Sequence, residues 1–302
     1  MNNGTWTAEF SVSHTGNLCY IPMRVIEKRR FAWLDRAGKL LGTVGEPTGV
    51  IGSFDLTPDE KRLVYASDPP DQPTIWVLDL AGGSALRLTV NDFGISPRYS
   101  SDGKWVYYTR VREIRRRAAD GSGEAVTIGK GNLTTSVSAD GKFLAIGNGD
   151  IEVLPLTGEA KPQPYLATRF YEALPMFSPD GRWIAYESDE SGRSEIYVQG
   201  FPEKRGKWLV SAGGGTAPVW RSDGKELYWT GLDGMLMAAG IELGTESVRA
   251  GKAEALFEVP ARGEFRRFRP STDGRRFLTL EPLGEGKMVR DAMVVRLNWA
   301  GK

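Results

Sequence analysis

Few residues of this chain could serve nucleophilic or acid–base chemistry. Its 302 residues include one histidine, His14, and one cysteine, Cys19. Ser-His-Asp and Cys-His systems need a histidine near the nucleophile in the fold, and zinc sites are built mainly from histidine and cysteine. The patterns G-x-S-x-G and H-E-x-x-H are both absent from the sequence. The sequence therefore disfavours serine, cysteine and zinc hydrolases, and it leaves carboxylates and arginines as candidates for a site.

Arginines and carboxylates could form sites of two kinds. Guanidinium groups bind carboxylates and phosphates through paired hydrogen bonds, whereas Asp and Glu oxygens are preferred ligands of calcium. Our candidates for ligand binding are Glu9, Asp55, Arg98, Glu172, Arg267 and Arg269. For an oxygen-ligated ion the candidates are Glu9, Asp55, Asp92 and Glu172. These residues stand out because of where a sequence repeat places them.

The repeat consists of an apolar or aromatic residue, a short polar turn of Ser or Thr, Asp and Gly, and a second apolar run. Its clearest copy is FSPDGRWIAYES, residues 177–188. The first turn residues of the seven copies are Ser13, Thr57, Ser100, Ser138, Ser178, Arg221 and Ser271. Their spacing of about 40 residues is typical of a β-propeller blade.

Each copy continues into two further apolar runs, as in LPMFS, RWIAYES, SEIYVQGF and KWLVS. The predicted fold class is therefore all-β, a β-propeller of four-stranded antiparallel blades in one domain over residues 1–302. Seven copies predict seven blades, with six as the alternative. The first unit supplies FSVS, NLCYIP, RRFAWLDR and KLLGTVG, and the seventh supplies only RFRPS, RRFLTLE and DAMVVRLNW. Residues 2–6 are few for a missing strand, so we expect an incomplete last blade and a chain that is the C-terminal part of a longer protein.

The aspartates of the repeated turns are predicted to be structural. In Ser-Pro-Asp-Gly the proline fixes φ, the aspartate accepts local N–H bonds and the glycine takes a positive φ. The aspartates concerned are Asp59, Asp102, Asp140, Asp180, Asp223 and Asp273. A catalytic role would have to apply to six equivalent residues at once.

The strand before each repeated turn is expected to be the innermost strand of its blade and to line the central channel. Positions two and four residues before the turn should share one face of that strand, because side chains alternate. This face carries Glu9 and Asp55 in the first two units, and arginines in the third and seventh. Ring closure would make the seventh unit the neighbour of the first, so Glu9 is expected to pair with Arg267 or Arg269. Two interpretations stay open, namely structural ion pairs around the channel and a ligand held by the arginines.

The overall charge gives no reason to expect nucleic acid or an anionic membrane as a partner. Lys and Arg number 39 against 38 Asp and Glu, so no net field attracts a polyanion. The basic stretch over residues 110–124 is interpreted as a solvated outer strand. No run approaches the 18 or more apolar residues of a membrane span. We expect a soluble chain and leave its compartment open, with an extracytoplasmic position in a parent protein as one option.

Residues 174–202, LPMFSPDGRWIAYESDESGRSEIYVQGFP, resemble the TolB-like, WD-like β-propeller repeats of bacteria. The ending DAMVVRLNW and the segment FSVSHTGNLCYIP look like the C-terminal sensor propellers attached, notably in Acidobacteria, to serine/threonine kinases or winged-helix regulators. This resemblance covers nearly the whole chain and is specific for fold. It implies a protein- or ligand-binding module, and it carries over no catalytic residue.

Two functions from different classes follow. The first is a non-catalytic sensor or interaction propeller without a cofactor, which binds a protein segment or a small polar or anionic ligand at the channel. The alternative is a hydrolase, lactonase or phosphoesterase that depends on calcium or a similar divalent ion at the channel. Only the positions of the four carboxylates named above motivate this alternative.

Overall fold

The computed structural model describes the backbone of residues 7–12, 18–26, 29–48, 50–67, 73–90, 92–158, 161–259, 268–283, 287–290 and 294–296. Side chains are described over 29–46, 53–67, 73–90, 92–147, 149–158, 161–259 and 268–283. Strands, turns and bends account for the regular structure of these residues, and none of them lies in a helix. The predicted all-β class with antiparallel blades is confirmed.

Five blades follow one another along the chain, each starting from its inner strand. Blade one comprises β5 (Val50–Leu56), β6 (Arg62–Ser67), β7 (Thr74–Asp79) and β8 (Ala85–Arg87). Blade two comprises β9 (Ile95–Tyr99), β10 (Trp105–Arg110), β11 (Glu113–Ala118) and β12 (Val126–Lys130). Blade three comprises β13 (Thr134–Val137), β14 (Phe143–Gly149), β15 (Ile151–Pro155) and β16 (Gln163–Leu166). Blade four comprises β17 (Glu172–Phe177), β18 (Trp183–Ser188), β19 (Glu195–Gly200) and β20 (Trp208–Leu209).

Blade five comprises β21 (Thr216–Trp220), β22 (Glu226–Thr230), β23 (Met235–Leu243), β24 (Val248–Ala250) and β25 (Glu254–Glu258). Its long strand β23 pairs with β25 over its first half and with β24 over its second half.

Blade six combines strands from both ends of the chain. Its inner strands are β26 (Phe268–Pro270) and β27 (Arg276–Pro282), and its outer strands are β3 (Arg29–Asp35) and β4 (Leu40–Thr48). Strand β27 pairs with β3 in an uninterrupted antiparallel register from Arg276↔Asp35 to Pro282↔Arg29. The pairing closes the ring and covers the strand edges that an open propeller would expose.

The prediction of seven blades is wrong, because the first and seventh sequence units do not form separate blades. RRFAWLDR and KLLGTVG from the first unit complete the blade that RFRPS and RRFLTLE begin. The remaining strands β1 (Thr7–Val12), β2 (Leu18–Ile26), β28 (Lys287–Arg290) and β29 (Val294–Arg296) pair among themselves in another sheet. Seven repeats therefore yield six blades.

The core of the described part is divided among the blade interfaces. Six clusters of buried apolar side chains each span two neighbouring blades, including the interfaces between blades six and one and between blades five and six. At the closing interface, Phe31 of blade six contacts Phe54 and Tyr65 of blade one in edge-to-face geometry. Fully burying such a side chain contributes about 1.5–3 kcal/mol, so hydrophobic packing holds the ring closed on both sides of blade six.

The inner strands carry a bulge that breaks their simple alternation. Ser96, Leu174 and Ala217, each four residues before a repeated turn and followed by proline, have φ of 54°, 50° and 58°. The pairing of each of these strands with its neighbour shifts register at this point. An extra residue in one strand rotates the side chains beyond it. Positions two and four residues before the turn therefore do not form the single face that alternation predicts.

The repeated turns use their aspartates locally, as expected. In five copies the Asp carboxylate accepts a bond from the Ser or Thr that opens the turn, for example Ser178 Oγ to Asp180 Oδ1 at 2.6 Å. The same oxygen accepts the N–H two residues on, as from Arg182 at 3.1 Å. Arg221 opens the remaining described turn and forms an ion pair with Asp223 at 2.7 Å.

Candidate functional site

Arg98 extends from the inner strand of blade two into the centre of the ring. Its Nε donates to the Thr135 carbonyl of blade three at 2.7 Å, and its Nη1 donates to Ser53 Oγ of blade one at 3.0 Å. Nη1 also donates to the Pro97 carbonyl at 2.6 Å. The residue is 5% exposed. Its guanidinium thus joins three consecutive blades from within the channel.

Arg269 occupies the same position of blade six and pairs with a carboxylate of blade one. Its Nε lies 2.9 Å from Asp55 Oδ1, and its Nη1 donates to the Phe268 carbonyl at 3.1 Å. The other oxygen of Asp55 accepts the Tyr99 backbone N–H at 3.0 Å. Arg269 is 4% exposed and the Asp55 side chain 19% exposed. We call Ser53, Asp55, Arg98 and Arg269 the channel cluster.

The electrostatics of the channel cluster are unbalanced. Burial, together with the positive charge of Arg269, lowers the pKa of Arg98 to about 9, although Asp55 acts in the opposite direction. Two guanidinium groups share one carboxylate, so the cluster carries a net positive charge at neutral pH. Charges are costly to remove from water unless they are paired. This charge is the chemically distinctive feature of the channel.

Part of the cluster also has a structural role that recurs around the ring. Asp55 of blade one accepts the Tyr99 N–H of blade two. In the same way Ser136, at the equivalent position of blade three, accepts the Phe177 N–H of blade four at 3.1 Å. Positions two residues before the turn therefore connect inner strands of neighbouring blades. Arginine has no acceptor and cannot form this contact, which sets Arg98 and Arg269 apart.

The level four residues before the turn is closely packed. Leu174 and Ala217 are buried beside Leu133 and Ala173 in a cluster at the centre of the ring. Ser96 at the same level is also buried, and its carbonyl accepts the Thr134 hydroxyl. Ser53 belongs to this layer, whereas Asp55, Arg98 and Arg269 lie two residues before their turns, between the layer and the repeated turns.

Glu172 is buried in blade four but does not join the channel cluster. Its carboxylate accepts bonds from the hydroxyl and the N–H of Thr168. Sequence reasoning missed two neighbours on the next strands, Glu187 and Glu195, which are 8% and 2% exposed. Their position beside apolar residues on β18 and β19 was the only signal in the sequence.

The carboxylate of Asp92 forms ion pairs with arginines of the basic stretch. It forms ion pairs with Arg110 at 2.8 Å and Arg115 at 2.6 Å, and it accepts the Tyr108 hydroxyl at 2.9 Å. Arg117 donates to the carbonyls of Leu88 and Gly121. Most of this stretch therefore connects blade two to the end of blade one and to its own loop.

The remaining predicted site residues cannot be assigned to the channel. Arg267 lies outside the described residues. Glu9 lies on β1, opposite Ile21 of β2, in the sheet that also contains β28 and β29 and is separate from the six blades, and its side chain lies outside the described ones. The predicted pairing of Glu9 with an arginine of the last unit also lies outside the described side chains. Where side chains are described, no three His, Cys, Asp or Glu converge as metal ligands would.

Comparisons with known proteins agree on the fold. No family model matches the chain. The uncharacterized peptidase YuxL from Bacillus subtilis is 26% identical over 156 positions, which are 47% of this chain and 23% of that protein. The chain thus spans under a quarter of the length of this curated relative.

Solved structures are similar over most of the chain. The putative TolB from Agrobacterium tumefaciens superimposes with a TM-score of 0.65 at 18% identity, covering 85% of this chain and 99% of that one. An oligogalacturonate lyase in complex with manganese gives 0.54 at 12%, covering 99% of both chains. A chain of a nidogen/laminin complex gives 0.55 at 13%, covering 86% and 99%.

These likenesses, with the six blades, define the class as a TolB-like β-propeller. At such identities they establish the architecture alone. No helix among the described residues is long and apolar enough to cross a membrane.

Proposed function

We propose that the chain is a non-catalytic binding propeller that recognises a protein segment or a small polar or anionic ligand at its central channel. The observation that carries the proposal is the buried positive charge of Arg98 and Arg269, which the single carboxylate of Asp55 does not balance. Packing alone does not require such a charge. The described residues at the level below it, four positions before a turn, are the buried Ser53, Ser96, Thr134, Leu174 and Ala217.

Protein binding agrees with what is seen for a protein of similar fold. One neighbouring structure is a complex of two proteins, nidogen and laminin. The repeat resembles propellers attached to bacterial kinases and winged-helix regulators, and a place as the sensor module of a larger bacterial protein belongs to this proposal. An extracytoplasmic position of that parent protein would suit the TolB-like fold and is part of it as well.

The metal-dependent hydrolase is the weaker candidate. Its carboxylates contact separate partners, since Asp55 pairs with Arg269, Asp92 with Arg110 and Arg115, and Glu172 with Thr168. Carboxylates held by arginines are poor ligands for a cation, because the guanidinium competes for the same lone pairs. The manganese-containing neighbour shares the fold at 12% identity and adds no residue-level support.

Selection from a random-peptide library tests the proposal. Peptides that bind the chain should slow hydrogen exchange in inner strands β9 and β26, and they should leave outer strands β8 and β12 unchanged. Protection confined to the outer strands would contradict channel recognition. Ester or phosphoester turnover that is lost on Asp55→Asn would contradict the non-catalytic assignment.

A further inference from the structure

The two channel guanidinium groups retain hydrogen-bond donors that the protein does not use. Each guanidinium carries five N–H groups. The bonds of Arg98 employ Nε and both Nη1 hydrogens, and those of Arg269 employ Nε and one Nη1 hydrogen. None of the hydrogen bonds that described residues accept from these two side chains involves Nη2. Both side chains are more than nine-tenths buried.

The acceptors nearby are already engaged. Asp55 uses one oxygen for Arg269 and the other for the Tyr99 N–H. The remaining described residues two positions before a turn are Ser136, Met176 and Val219. Ser136 accepts from Phe177, while Met176 and Val219 pack in the apolar interfaces of blade five. The Nη2 groups of both arginines thus form no hydrogen bond with a described residue, and the described positions two residues before a turn supply no second anion for them.

The balance of charge indicates what would complete the site. Two arginines and one aspartate leave one positive charge, so a single negative charge neutralises the cluster. A carboxylate carries that charge and presents two oxygens to planar N–H pairs. A phosphate group brings about 1.5 to 2 negative charges at neutral pH and would overcompensate. Water could accept the N–H bonds but would leave the charge unpaired.

We infer that the unpartnered Nη2 groups of Arg98 and Arg269 bind a carboxylate of the propeller's ligand, with Asp55 holding Arg269 in place. This inference rests on the proposed function and names the chemical group that the channel recognises. The carboxylate could belong to an acidic or C-terminal residue of a protein segment or to a small organic acid. Both sources present the same carboxylate group, and the experiment distinguishes them.

The direct test is thermal unfolding of the wild-type chain in sodium acetate, sodium phosphate and sodium chloride at equal ionic strength. Acetate should raise the unfolding temperature by about 2 °C or more above chloride, because a ligand that binds only the native state stabilises it by mass action. Phosphate stabilises native proteins in general because it is excluded from their surface, so its effect should be the same in the wild type and in the channel variants described below. No difference between acetate and chloride, or a phosphate effect that falls in those variants as far as the acetate effect does, would overturn the inference.

Variants assign the effect to the cluster. Arg98→Met and Arg269→Met should each abolish the difference between acetate and chloride. Arg117→Met is the matched control, because this arginine is half-buried outside the channel and its Nη1 and Nη2 donate to carbonyls. The control should keep the acetate effect even if it lowers stability. An acetate effect that survives both channel variants would place the anion elsewhere and overturn the inference.

Peptides that bind the channel show which source supplies the carboxylate. They also separate a failure of carboxylate recognition from a failure of channel binding as such. If a peptide carries the group, amidating its C-terminus or replacing its acidic residues should weaken binding at least tenfold. If free acetate binds but no peptide does, the ligand is a small acid. Peptides that protect β9 and β26 but tolerate loss of every carboxylate would refute this inference and leave channel binding intact. Absence of any channel binder, acetate included, would refute both.

Discussion

Two groups of buried charged side chains in this propeller are satisfied in different ways. In blade four, Glu172, Glu187 and Glu195 are buried, and each accepts hydrogen bonds from nearby hydroxyls. Glu187 accepts the hydroxyls of both Ser194 and Thr216. In the channel, Arg98 and Arg269 are equally buried, yet their Nη2 groups have no described partner.

The difference follows from the direction of the hydrogen bonds. Glu195 accepts the Ser211 hydroxyl and the Gly214 N–H at 2.9 Å, and Arg193 lies 2.6 Å from its other oxygen. Burial acts to raise the pKa of Glu195, but these bonds outweigh it and the pKa is lowered. A guanidinium needs acceptors instead, and the inner strands offer only a few carbonyls and Asp55. The carboxylates of blade four are therefore satisfied within the protein, whereas the channel guanidiniums are not.

The largest effect should come from removing the carboxylate of the channel cluster. Asp55→Asn leaves two buried guanidiniums without a counter-charge, and breaking a buried pair in this way costs about 3–5 kcal/mol. Urea denaturation of the variant and the wild type measures the loss in the free energy of unfolding.

The same experiment has an internal control. Arg269→Met in the Asp55→Asn background removes one of the stranded charges, so the double variant should be more stable than Asp55→Asn alone. If the two substitutions simply add, Asp55 and Arg269 do not interact in the way described here.

A smaller loss is expected in blade four. Glu195→Gln keeps an acceptor for Ser211 and Gly214 but loses the charge, and it should cost about 1–2 kcal/mol. Because the folded pKa of Glu195 is lowered, its stabilisation is present above the unfolded pKa and is lost as the pH falls through the folded pKa. The variant should therefore show a flatter decline of stability in acid, measured by denaturation at pH values on both sides of the usual glutamate pKa. If Glu195→Gln lowers the free energy of unfolding as much as Asp55→Asn does, blade four and the channel cluster do not differ in the way proposed.

The repeated turns should be less sensitive still. Asp180→Ala deletes the bonds from Ser178 Oγ and the Arg182 N–H, and it should cost about 1 kcal/mol. It should leave the acetate effect unchanged, because the turn is separate from the channel cluster. Acetate titration of this variant by thermal unfolding checks that separation, and a lost response would show that the turns take part in binding.

The most subtle effect concerns alkaline pH. The lowered pKa of Arg98, about 9, means that its proton is released in the folded state before it would be released in the unfolded chain. Burial therefore disfavours the charged form of Arg98. Carboxylate binding should weaken as the pH rises through about 9, because Arg98 then loses the positive charge that attracts the carboxylate. Repeating the acetate comparison from neutral pH to one unit above that pKa should show this decline in the wild type and in Arg117→Met. An acetate effect that is constant over this range would argue against Arg98 as the binding group.

The local pattern of the sequence was sufficient for the strands and the turns. The repeated turns mark every inner strand of the described blades, and counting back from them singled out Asp55, Arg98 and Arg269. Asp55 and Arg269 form an ion pair and Arg98 lies close enough to feel both charges, while their role in binding stays a prediction. Register along one blade is a short-range property, so it can be inferred from neighbouring residues.

Local sequence patterns could not predict the number of blades or which side chains of the inner strands share a face. FLTL at residues 277–280 and FAWL at residues 31–34 are apolar runs like any others, and only their pairing across the chain shows that they share blade six. Likewise the bulges at Ser96, Leu174 and Ala217 depend on backbone conformations that alternation does not anticipate. The same alternation assigned Glu9 to the channel; its strand lies in the sheet of the chain ends, and its place at the channel stays a prediction.

A crystal structure of the chain grown with acetate tests the account most directly. We predict six blades and a carboxylate bound by the Nη2 groups of Arg98 and Arg269, with Asp55 still paired with Nε of Arg269. A carboxylate of the chain itself against Arg98, or acetate absent from the channel at saturating concentration, would contradict the claim that the ring holds a charge reserved for a ligand.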